Sequence, residues 1–401
     1  MRIGVDLSNL DPEYAGGMNT FSLGITKGLI NAINQPDRLI VLTSCKNEIY
    51  IKSIFEGTRI EYLKVPINTL TALTNRLISL CAWMIHSYKI RHWFDRAFRS
   101  RISSTISSAV DIILTPTVVL NYYALNVPSV VCIHDIQHEY HPEYFSFFRL
   151  ILRWAPYRLS CWEAASIQVS SNYVKDCLID KFSIKPEKMF VAYEGVDVER
   201  FAEKSREKRP RLCNDLDPNE FVFYPAQIWP HKNHLLLIDA LAAARHTYGR
   251  EIPCVLTGND YGHWKVILKR IKKHQLKFVY YLGRVEFDEI LWLYRNCRAV
   301  MALGLHESSS LPIREGAVFG KPLICSDIQP NVEAADYLYL RLVDRSDAKY
   351  LASALIELME EPNNLLSKSA LNIAKVEVFN WNRIAASYLT VFNQLAAVSN
   401  S

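Results

Sequence analysis

The sequence lacks the features that mark several classes of protein. Its nine cysteines form no Cys-x2-Cys pair and are odd in number. A disulfide framework and a zinc site are therefore disfavoured, and we expect reduced thiols in the cytosol. No uninterrupted apolar run reaches the roughly 18 residues that a membrane-spanning helix needs. The first residues, Met1 to Asp6, show a strand pattern where a signal peptide would have an apolar stretch.

The chain also has only a small excess of positive over negative charge. The net charge is +5 over 401 residues, and the 21 Tyr and 8 Trp are scattered along the chain. This bias is too small, and the aromatics too dispersed, to predict a nucleic-acid partner. Half of the residues are hydrophobic, which is enough to build two domains of roughly 150 to 200 residues each.

Short apolar runs alternate with helical patterns, which predicts an α/β fold with parallel sheets. Predicted strands include residues 3–7, 39–43, 110–114, 129–133, 221–224 and 253–258. Residues 202–220 are charged and broken by two prolines, so they are interpreted as an interdomain linker. We predict an N-terminal domain over residues 1–200, a second domain over 201–378 and a terminal helix over 379–401.

Residues 303–327 form the most informative stretch, with Glu307 and Glu315 on either side of Ser308, Ser309, Ser310, Leu311 and Pro312. An apolar strand precedes it, Pro312 suits the first turn of a helix, and Gly320 ends that helix. Glu307 is then predicted on the loop and Glu315 in the first helical turn. At the carboxyl edge of a parallel sheet, free helix amides suit a diphosphate and a carboxylate suits a sugar diol.

Three further features admit two interpretations from the residues alone. Gly16 and Gly17 follow the first strand and either form a plain turn or bring backbone close to phosphate. His134 and Asp135 follow a buried strand and are either structural or part of a site. The cluster around His138 suits a polar acceptor pocket better than a metal, for which ligands at a known spacing are missing.

The string from His306 to Pro322, His-Glu-Ser-Ser-Ser-Leu-Pro-x-Arg-Glu-Gly-Ala-x-x-Gly-Lys-Pro, resembles the Glu-x7-Glu motif of glycosyltransferase family 4. The resemblance extends over essentially the whole chain. It implies two Rossmann-like domains facing across a cleft, the GT-B architecture, with the terminal helix crossing back to the first, acceptor-side domain. It also implies metal-independent transfer of a sugar from a nucleotide-sugar to an acceptor hydroxyl, with retention of anomeric configuration and no cofactor.

The resemblance also implies roles for particular residues. Glu315 would hold the ribose diol, Glu307 the donor sugar, and His134 the sugar or the acceptor. The donor diphosphate would be bound by Lys232, by the amides of Ser308, Ser309, Ser310 and Leu311, and by Gly16 and Gly17. Asp135 and His138 would lie on the acceptor side. Gln227 stands where the family usually has a diphosphate-binding Arg, and Glu194 stands where it usually has Asn.

The string Ala-Gln-x-Trp-Pro-His-Lys-Asn-His, which begins at Ala226, resembles bacterial cell-surface polysaccharide transferases, including mannosyl- and rhamnosyltransferases. It implies a mannose-type donor and a saccharide or lipid-linked saccharide acceptor, as in O-antigen synthesis. Two other hypotheses stay open. One is a nucleotide-sugar epimerase or phosphorylase of the same architecture. The other, which Gln227 keeps open, is a non-catalytic partner that binds nucleotide-sugar or assembles a polysaccharide complex.

The segment 68–101 has a different character. An apolar run over residues 77–85 is followed by Lys89, Arg91, Arg96, Arg99 and Arg101, with only Asp95 opposing them. Such a segment either lies on the anionic inner face of a membrane or packs on its own domain with solvated arginines outside. The sequence favours neither interpretation.

Overall fold

The computed structural model describes residues 1–12, 16–66, 69–84, 88–203, 207–360 and 362–399. The chain divides into two compact units. The first contains Met1–Gly195 and Trp381–Ser401, and the second contains Val196–Asn380. Each unit has a parallel sheet with helices, so the predicted α/β fold class with two Rossmann-like units is confirmed.

The first unit is built on a seven-stranded parallel sheet with the order β3-β2-β1-β4-β5-β6-β7. The central strands are buried along their whole length, as expected of apolar strands covered on both faces. The strands are β1 (Arg2–Asp6), β2 (Arg38–Thr43), β3 (Glu61–Lys64), β4 (Ile112–Thr115), β5 (Ser129–Ile133), β6 (Ser166–Val169) and β7 (Met189–Val191). The strand order reverses between β1 and β4, which marks a ligand-binding position at their carboxyl ends.

Helices connect these strands. They are α1 (Gly17–Ala32), α2 (Glu48–Ile54), α3 (Thr69–Met84), α4 (Tyr88–Phe98), α5 (Ser100–Ala109), α6 (Gln137–Tyr140), α7 (Phe147–Glu163) and α8 (Asn172–Phe182). Among the described residues, no helix combines the length and the apolar character needed to cross a membrane.

The second unit begins with a short helix, α9 (Val198–Ala202), and contains a six-stranded parallel sheet with the order β10-β9-β8-β11-β12-β13. Its strands are β8 (Val222–Pro225), β9 (Cys254–Thr257), β10 (Val279–Tyr281), β11 (Ala299–Ala302), β12 (Leu323–Ser326) and β13 (Arg341–Val343). Its other helices are α10 (His234–Tyr248), α11 (Trp264–Lys273), α12 (Phe287–Asn296), α13 (Leu311–Val318), α14 (Gln329–Ala334), α15 (Ala348–Glu360), α16 (Pro362–Ala370) and α17 (Asn372–Lys375). The strand order here reverses between β8 and β11.

Residues 202–220 were interpreted from the sequence as an interdomain linker. Within the described residues they belong to the second unit and contain a short helical turn, Arg211–Cys213. Cys213 and Leu216 are buried. These apolar side chains attach the stretch to the unit because burying them removes apolar surface from water.

The last helix, α18 (Trp381–Ser399), belongs to the first unit and packs along α1. Trp381 lies against three glycines, Gly24 and Gly28 of α1 and Gly195 after β7, and a Cβ at any of them would collide with it. Glycine costs roughly 0.5–1 kcal/mol relative to Ala in a helix interior, so here close helix packing outweighs helix propensity.

We predict that Gly28→Ala destabilises the first unit, because the added Cβ would overlap the backbone carbonyl of Trp381. Backbone cannot move aside as a flexible side chain can, so the expected loss is about 1–3 kcal/mol. Thr20→Ala on the exposed side of the same helix is the control. Thermal unfolding measures both variants, and equal midpoints for Gly28→Ala and Thr20→Ala would contradict the proposed packing.

Candidate functional site

Lys232 and Glu307 are brought together by the second sheet. Lys232 follows β8 and Glu307 follows β11, the two strands between which the order reverses. The Lys232 Nζ lies 2.6 Å from Oε1 and 2.8 Å from Oε2 of Glu307. Two of the three ammonium N–H groups are therefore directed at this carboxylate, and the third remains for a ligand.

The Tyr224 hydroxyl connects the loops that carry this pair. It donates to the carbonyl oxygen of Lys232 at 2.5 Å and accepts from the backbone N–H of Leu303 at 3.3 Å. A second link joins the loops where the Leu305 N–H donates to the carbonyl oxygen of His231 at 2.7 Å. Tyr224 is buried in the core of the unit, so a core side chain fixes the positions of the Lys232 ammonium and the Glu307 carboxylate.

Gly304 makes room for the Glu307 side chain. A Cβ at position 304 would lie 2.5 Å from Oε1 of Glu307. The carbonyl oxygen of Gly304 also accepts a 2.6 Å hydrogen bond from the Ser326 hydroxyl. Because the backbone here is held in place, any larger residue would displace the carboxylate from Lys232.

The start of α13 is the predicted anion-binding helix terminus. Ser310 precedes the helix and makes no side-chain capping hydrogen bond, and Pro312 stands in the first turn. Backbone N–H groups at such a terminus lack partners within the helix, so they suit an anionic ligand. Arg314 is buried, donates to the Ser309 hydroxyl, and has its guanidinium 4.8 Å from the centre of the Phe379 ring. Arg314 therefore orients the loop of Ser308, Ser309 and Ser310 from its buried side.

Glu315 is the fifth residue of α13, just beyond the first turn in which it was predicted, because the helix already begins at Leu311. The hydroxyl of Tyr294, a buried residue of α12, donates to Oε2 of Glu315. Burial raises the pKa of Glu315, and the Tyr294 hydrogen bond acts in the opposite direction. Oε1 makes no protein hydrogen bond in the described structure, which leaves it for a ligand hydroxyl.

Gln227 ties together two loops of the second unit. Its Oε1 accepts from the backbone N–H of Asn259 at 2.6 Å. The loops approach closely at Gly258, which has a φ of +124° and where a Cβ would lie 2.5 Å from the carbonyl oxygen of Ala226. The carboxamide oxygen is thus committed to the fold, so a ligand contact from Gln227 would come from its Nε2.

His134 lies at the carboxyl end of β5 in the first unit, and oxygen atoms face both of its ring nitrogens. Nε2 lies 2.9 Å from the carbonyl oxygen of Pro116, and Nδ1 lies 3.5 Å from Oε1 of Glu194. Phe21 of α1 packs edge-on against the ring at 4.4 Å between centroids. Burial lowers the pKa of His134, but Glu194, the Pro116 carbonyl and Asp135 together outweigh that effect, so the net direction is upward.

Asp135 and His138 occupy different environments. Asp135 accepts from the backbone N–H of Gln137 at 3.1 Å, at the start of α6. His138 has 0% exposure, and its ring packs edge-on against Tyr157 at 4.7 Å. Burial lowers the pKa of His138 to about 4. The imidazole of His138 packs inside the unit, so the structure does not place it where it would contact an acceptor sugar, as had been expected.

Glu139 forms a bidentate ion pair with Arg158 at 2.7 and 2.9 Å, and its Oε1 also lies 3.4 Å from Nε2 of His138. His141 instead contacts Glu143 at 3.0 Å. Among the described residues, no group of three or more His, Cys, Asp or Glu side chains is placed to hold a metal ion.

Gly16 and Gly17 lie where the first helix begins. Gly17 is the first residue of α1, and the Gly16 carbonyl oxygen accepts from the N–H groups of Asn19 and Thr20 at 3.0 and 3.1 Å. Residues 13–15 of the preceding loop lie outside the described residues. The pair therefore stands at the N-terminus of a 16-residue helix that follows β1, next to the reversal of strand order in the first sheet.

Two family models match the chain. Glycosyl transferases group 1 matches residues 205–375, and Glycosyltransferase Family 4 matches residues 62–200. The O-antigen chain mannosyltransferase RfbU of Salmonella typhimurium is 25% identical over 264 residues, covering 63% of this chain and 69% of that protein. The MMP alpha-(1->4)-mannosyltransferase of Mycolicibacterium hassiacum is 27% identical over 235 residues, covering 58% of this chain and only 54% of that protein.

A solved structure gives the same fold. Anabaena Alr3699/HepE, crystallised with UDP and glucose, matches with a TM-score of 0.71 at 19% identity, covering 98% of this chain and 100% of that chain. Two doubly wound parallel units of this kind form the GT-B fold. The two family models and the two mannosyltransferase relatives confirm the resemblance of this chain to glycosyltransferase family 4.

Sequence reasoning did not find three residues that hold the candidate site. Tyr224 lies in an apolar strand, and Tyr294 lies in a helix with an apolar face, so both patterns predict core residues. Glu194 was noticed only as an unusual residue, without a partner. The polar contacts of all three are made to residues 8 to 79 positions away, and the periodicity of a strand or helix contains no signal for such pairings.

We predict that Glu315→Gln stabilises the protein while weakening nucleotide binding. Gln keeps an acceptor for Tyr294 but removes a buried charge, and the expected gain is about 0.5–2 kcal/mol at neutral pH. Because the pKa of Glu315 is raised on folding, the folded wild type binds a proton at this carboxyl more tightly than the unfolded chain does. The wild type therefore loses stability as the pH rises from the pKa of Glu315 in the unfolded state through its pKa in the folded state. The gain should therefore shrink as pH falls.

Unfolding midpoints at neutral and acidic pH test this expectation, with Glu360→Gln, an exposed substitution in the same unit, as the control. A destabilised Glu315→Gln at neutral pH, or a gain that is independent of pH, would contradict the buried-charge account.

Proposed function

We propose that this protein is a retaining glycosyltransferase that moves a mannose-type sugar from a nucleotide-sugar to a saccharide or lipid-linked saccharide acceptor. The observation that carries the proposal is the Lys232–Glu307 pair, with Glu315 on the helix that follows. Similarity to an O-antigen mannosyltransferase and to a second mannosyltransferase supports the mannose-type donor and a role in cell-surface polysaccharide synthesis.

In the proposed reaction the nucleoside diphosphate leaves with growing negative charge. The Lys232 ammonium and the backbone N–H groups of Ser308, Ser309, Ser310 and Leu311 are the groups that would stabilise it. Fixed donors of this kind are effective because they need no reorganisation during the reaction. The proposal includes no metal and no separate cofactor.

The carboxylates would hold the rest of the donor. Oε1 of Glu315 can accept from a ribose hydroxyl while Tyr294 holds Oε2. Glu307 would accept hydrogen bonds from hydroxyls of the transferred sugar. When these hydroxyls replace Lys232 as the partners of Glu307, the Lys232 ammonium would become available to the diphosphate. Gln227 would add a neutral N–H donor where related sequences usually have a cation.

The first unit would supply the other contacts. We assign His134 to the sugar or the acceptor, Gly16 and Gly17 to the donor diphosphate, and Asp135 to the acceptor side. His138 would support this region from inside. We also propose a cytosolic location, since all nine cysteines are free and seven of them are buried.

We predict that Lys232→Ala lowers kcat by about 10²–10³, the usual effect of removing one preorganised charge-stabilising group. The assay follows release of nucleoside diphosphate from a panel of nucleotide-sugars with an oligosaccharide acceptor, and product NMR reports the anomeric configuration. Lys265→Ala, an exposed lysine of the same unit, is the control.

Unchanged turnover in Lys232→Ala would remove its leaving-group role. Wild-type protein that binds nucleotide-sugar without transfer would favour the non-catalytic hypothesis, which the engaged oxygen of Gln227 keeps open. Conversion of the sugar without an acceptor would indicate an epimerase.

We further propose that α4, within the segment 68–101, contacts an anionic membrane surface. Part of this helix buries charged side chains and exposes aromatic ones: Arg91 and Asp95 are 0% and 1% exposed, whereas Trp93 and Phe98 are 63% and 67% exposed. The buried residues pair with each other at 3.3 Å. Residue 68 and residues 85–87 of the segment lie outside the described residues.

The outer face of α4 has the composition of an interfacial helix. Lys89 and Arg96 are exposed beside Trp93, and the helix contains no acidic residue other than the buried Asp95. Arg91 and Arg99 are buried, so the expectation of solvated arginines outside fits only part of the segment. Aromatic rings flanked by cations suit the headgroup region of an anionic bilayer.

We predict that the combined variant Trp93→Ser and Phe98→Ser weakens binding to vesicles by at least about tenfold, because two apolar side chains no longer leave water. Cosedimentation with vesicles of phosphatidylglycerol and phosphatidylcholine measures binding, and vesicles of phosphatidylcholine alone test the charge requirement. Tyr248→Ser, an exposed aromatic of the second unit, is the control. Equal binding of all variants, or no preference for anionic vesicles, would contradict the contact.

A further inference from the structure

Glu194 is a buried carboxylate with an unusual environment. It follows β7 and is 8% exposed. Within the described residues, His134 is the one basic side chain that pairs with it, at 3.5 Å. Asp6, another buried carboxylate of the same unit, instead accepts from Ser8 and from the Asn121 amide at 2.8 Å. A buried carboxylate without such donors needs a positive partner, because burial without a partner is costly.

The His134 ring is placed between two acceptors. The Pro116 carbonyl oxygen, 2.9 Å from Nε2, can only accept. The Glu194 carboxylate also only accepts when it is ionised. A neutral imidazole has one nitrogen that donates and one that accepts. In that form, the unprotonated nitrogen would turn its lone pair toward an acceptor oxygen. An imidazolium donates from Nε2 to Pro116 and places a positive charge 3.5 Å from the Glu194 carboxylate, although Nδ1 itself makes no hydrogen bond in the described structure. The Ser170 hydroxyl, which donates to the His134 carbonyl oxygen at 3.1 Å, holds the backbone in this position.

We propose that Glu194 is a positioning residue that holds His134 as an imidazolium, with Nε2–H donating to Pro116 and the ring charge paired with the Glu194 carboxylate 3.5 Å from Nδ1. His134 then presents no nitrogen lone pair and cannot act as a general base. It offers a fixed positive charge and its C–H edges to the oxygen atoms of a bound sugar or phosphate. Its role in transfer rests on the proposed function, whereas the protonation state does not.

The groups around the ring agree with this assignment. Burial lowers the pKa of His134, and Glu194, the Pro116 carbonyl and Asp135 together outweigh it, so the pKa is raised. Phe21 of α1 contributes no charge. Burial, with Cys132 and then the Glu194 charge adding to it, raises the pKa of Tyr388 of α18 well above its usual value, so Tyr388 stays neutral. The groups that face the pair are therefore Glu194, Asp135, Phe21, Pro116, Ser170 and Tyr388.

A competing arrangement places the proton on Glu194 and leaves both groups neutral. The two arrangements predict different ring nitrogens: two protonated nitrogens in the proposed ion pair, and one in the neutral pair. Long-range ¹H–¹⁵N correlation spectra of full-length protein labelled on histidine nitrogens distinguish them directly. His134→Gln identifies the His134 signals among the eleven histidines.

We expect both His134 nitrogens to have imidazolium shifts at pH 7, where an ordinary histidine, with a pKa of about 6.5, is mostly neutral. Glu194→Gln keeps a carbonyl oxygen near Nδ1 but removes the charge, and should lower the His134 pKa by about one unit or more. Asp135→Asn, which neutralises the other nearby carboxylate, should lower it by less. A neutral His134 in the wild type at pH 7, or an unchanged pKa in Glu194→Gln, would overturn the proposal.

The pH profile of transfer tests the functional part separately. His134 is charged below its folded-state pKa, so a lower pKa in Glu194→Gln should move the loss of kcat on the alkaline side to lower pH, without a matching change in KM for the donor. An unmoved profile together with the expected NMR shift would overturn the role in transfer. Absence of transferase activity in the wild type would count against the proposed function, and the NMR result would still decide the ion pair.

Discussion

The hydrogen bonds of the Tyr224 hydroxyl are the constraint on which the candidate donor site depends. This one oxygen joins the carbonyl of Lys232 to the backbone N–H of Leu303, and so fixes the distance between the loops after β8 and β11. The Lys232–Glu307 pair can form only while those loops keep that distance. The chemistry at the edge of the sheet is therefore set by a buried side chain that no ligand would touch.

Features encoded in contiguous residues could be predicted from the sequence. Apolar runs identified the parallel strands, and the two-unit α/β fold is confirmed by the sheets and by the structural similarity. Glu307, Lys232 and Glu315 could be selected because they match family motifs, and they lie in loops or a helix that follow buried strands, where ligand-binding groups collect. Glu315 lies just beyond the first helical turn in which it was predicted, since the pattern does not fix where the helix begins.

Features that depend on distant residues could not be predicted. The imidazole of His138 lies inside the first unit, although the polar string around it indicated an exposed pocket. Glu194 is 60 positions from His134, yet the sheet places their side chains together. Arg91 and Asp95 form a buried pair, which neither of the two interpretations of the segment 68–101 included. In each case packing decides which side of an element is covered, and that depends on the whole unit.

The central claim is that residues 303–318 bind the donor diphosphate through helix amides held in place by Tyr224, Lys232 and Arg314. Hydrogen–deuterium exchange of the full chain, with and without a nucleoside diphosphate, tests it most directly. The account predicts slower exchange in peptides containing Ser308, Ser309, Ser310 and Leu311, and a smaller effect in Tyr224→Phe. Slower exchange confined to other regions, or unchanged exchange in this loop at a saturating ligand concentration, would contradict it.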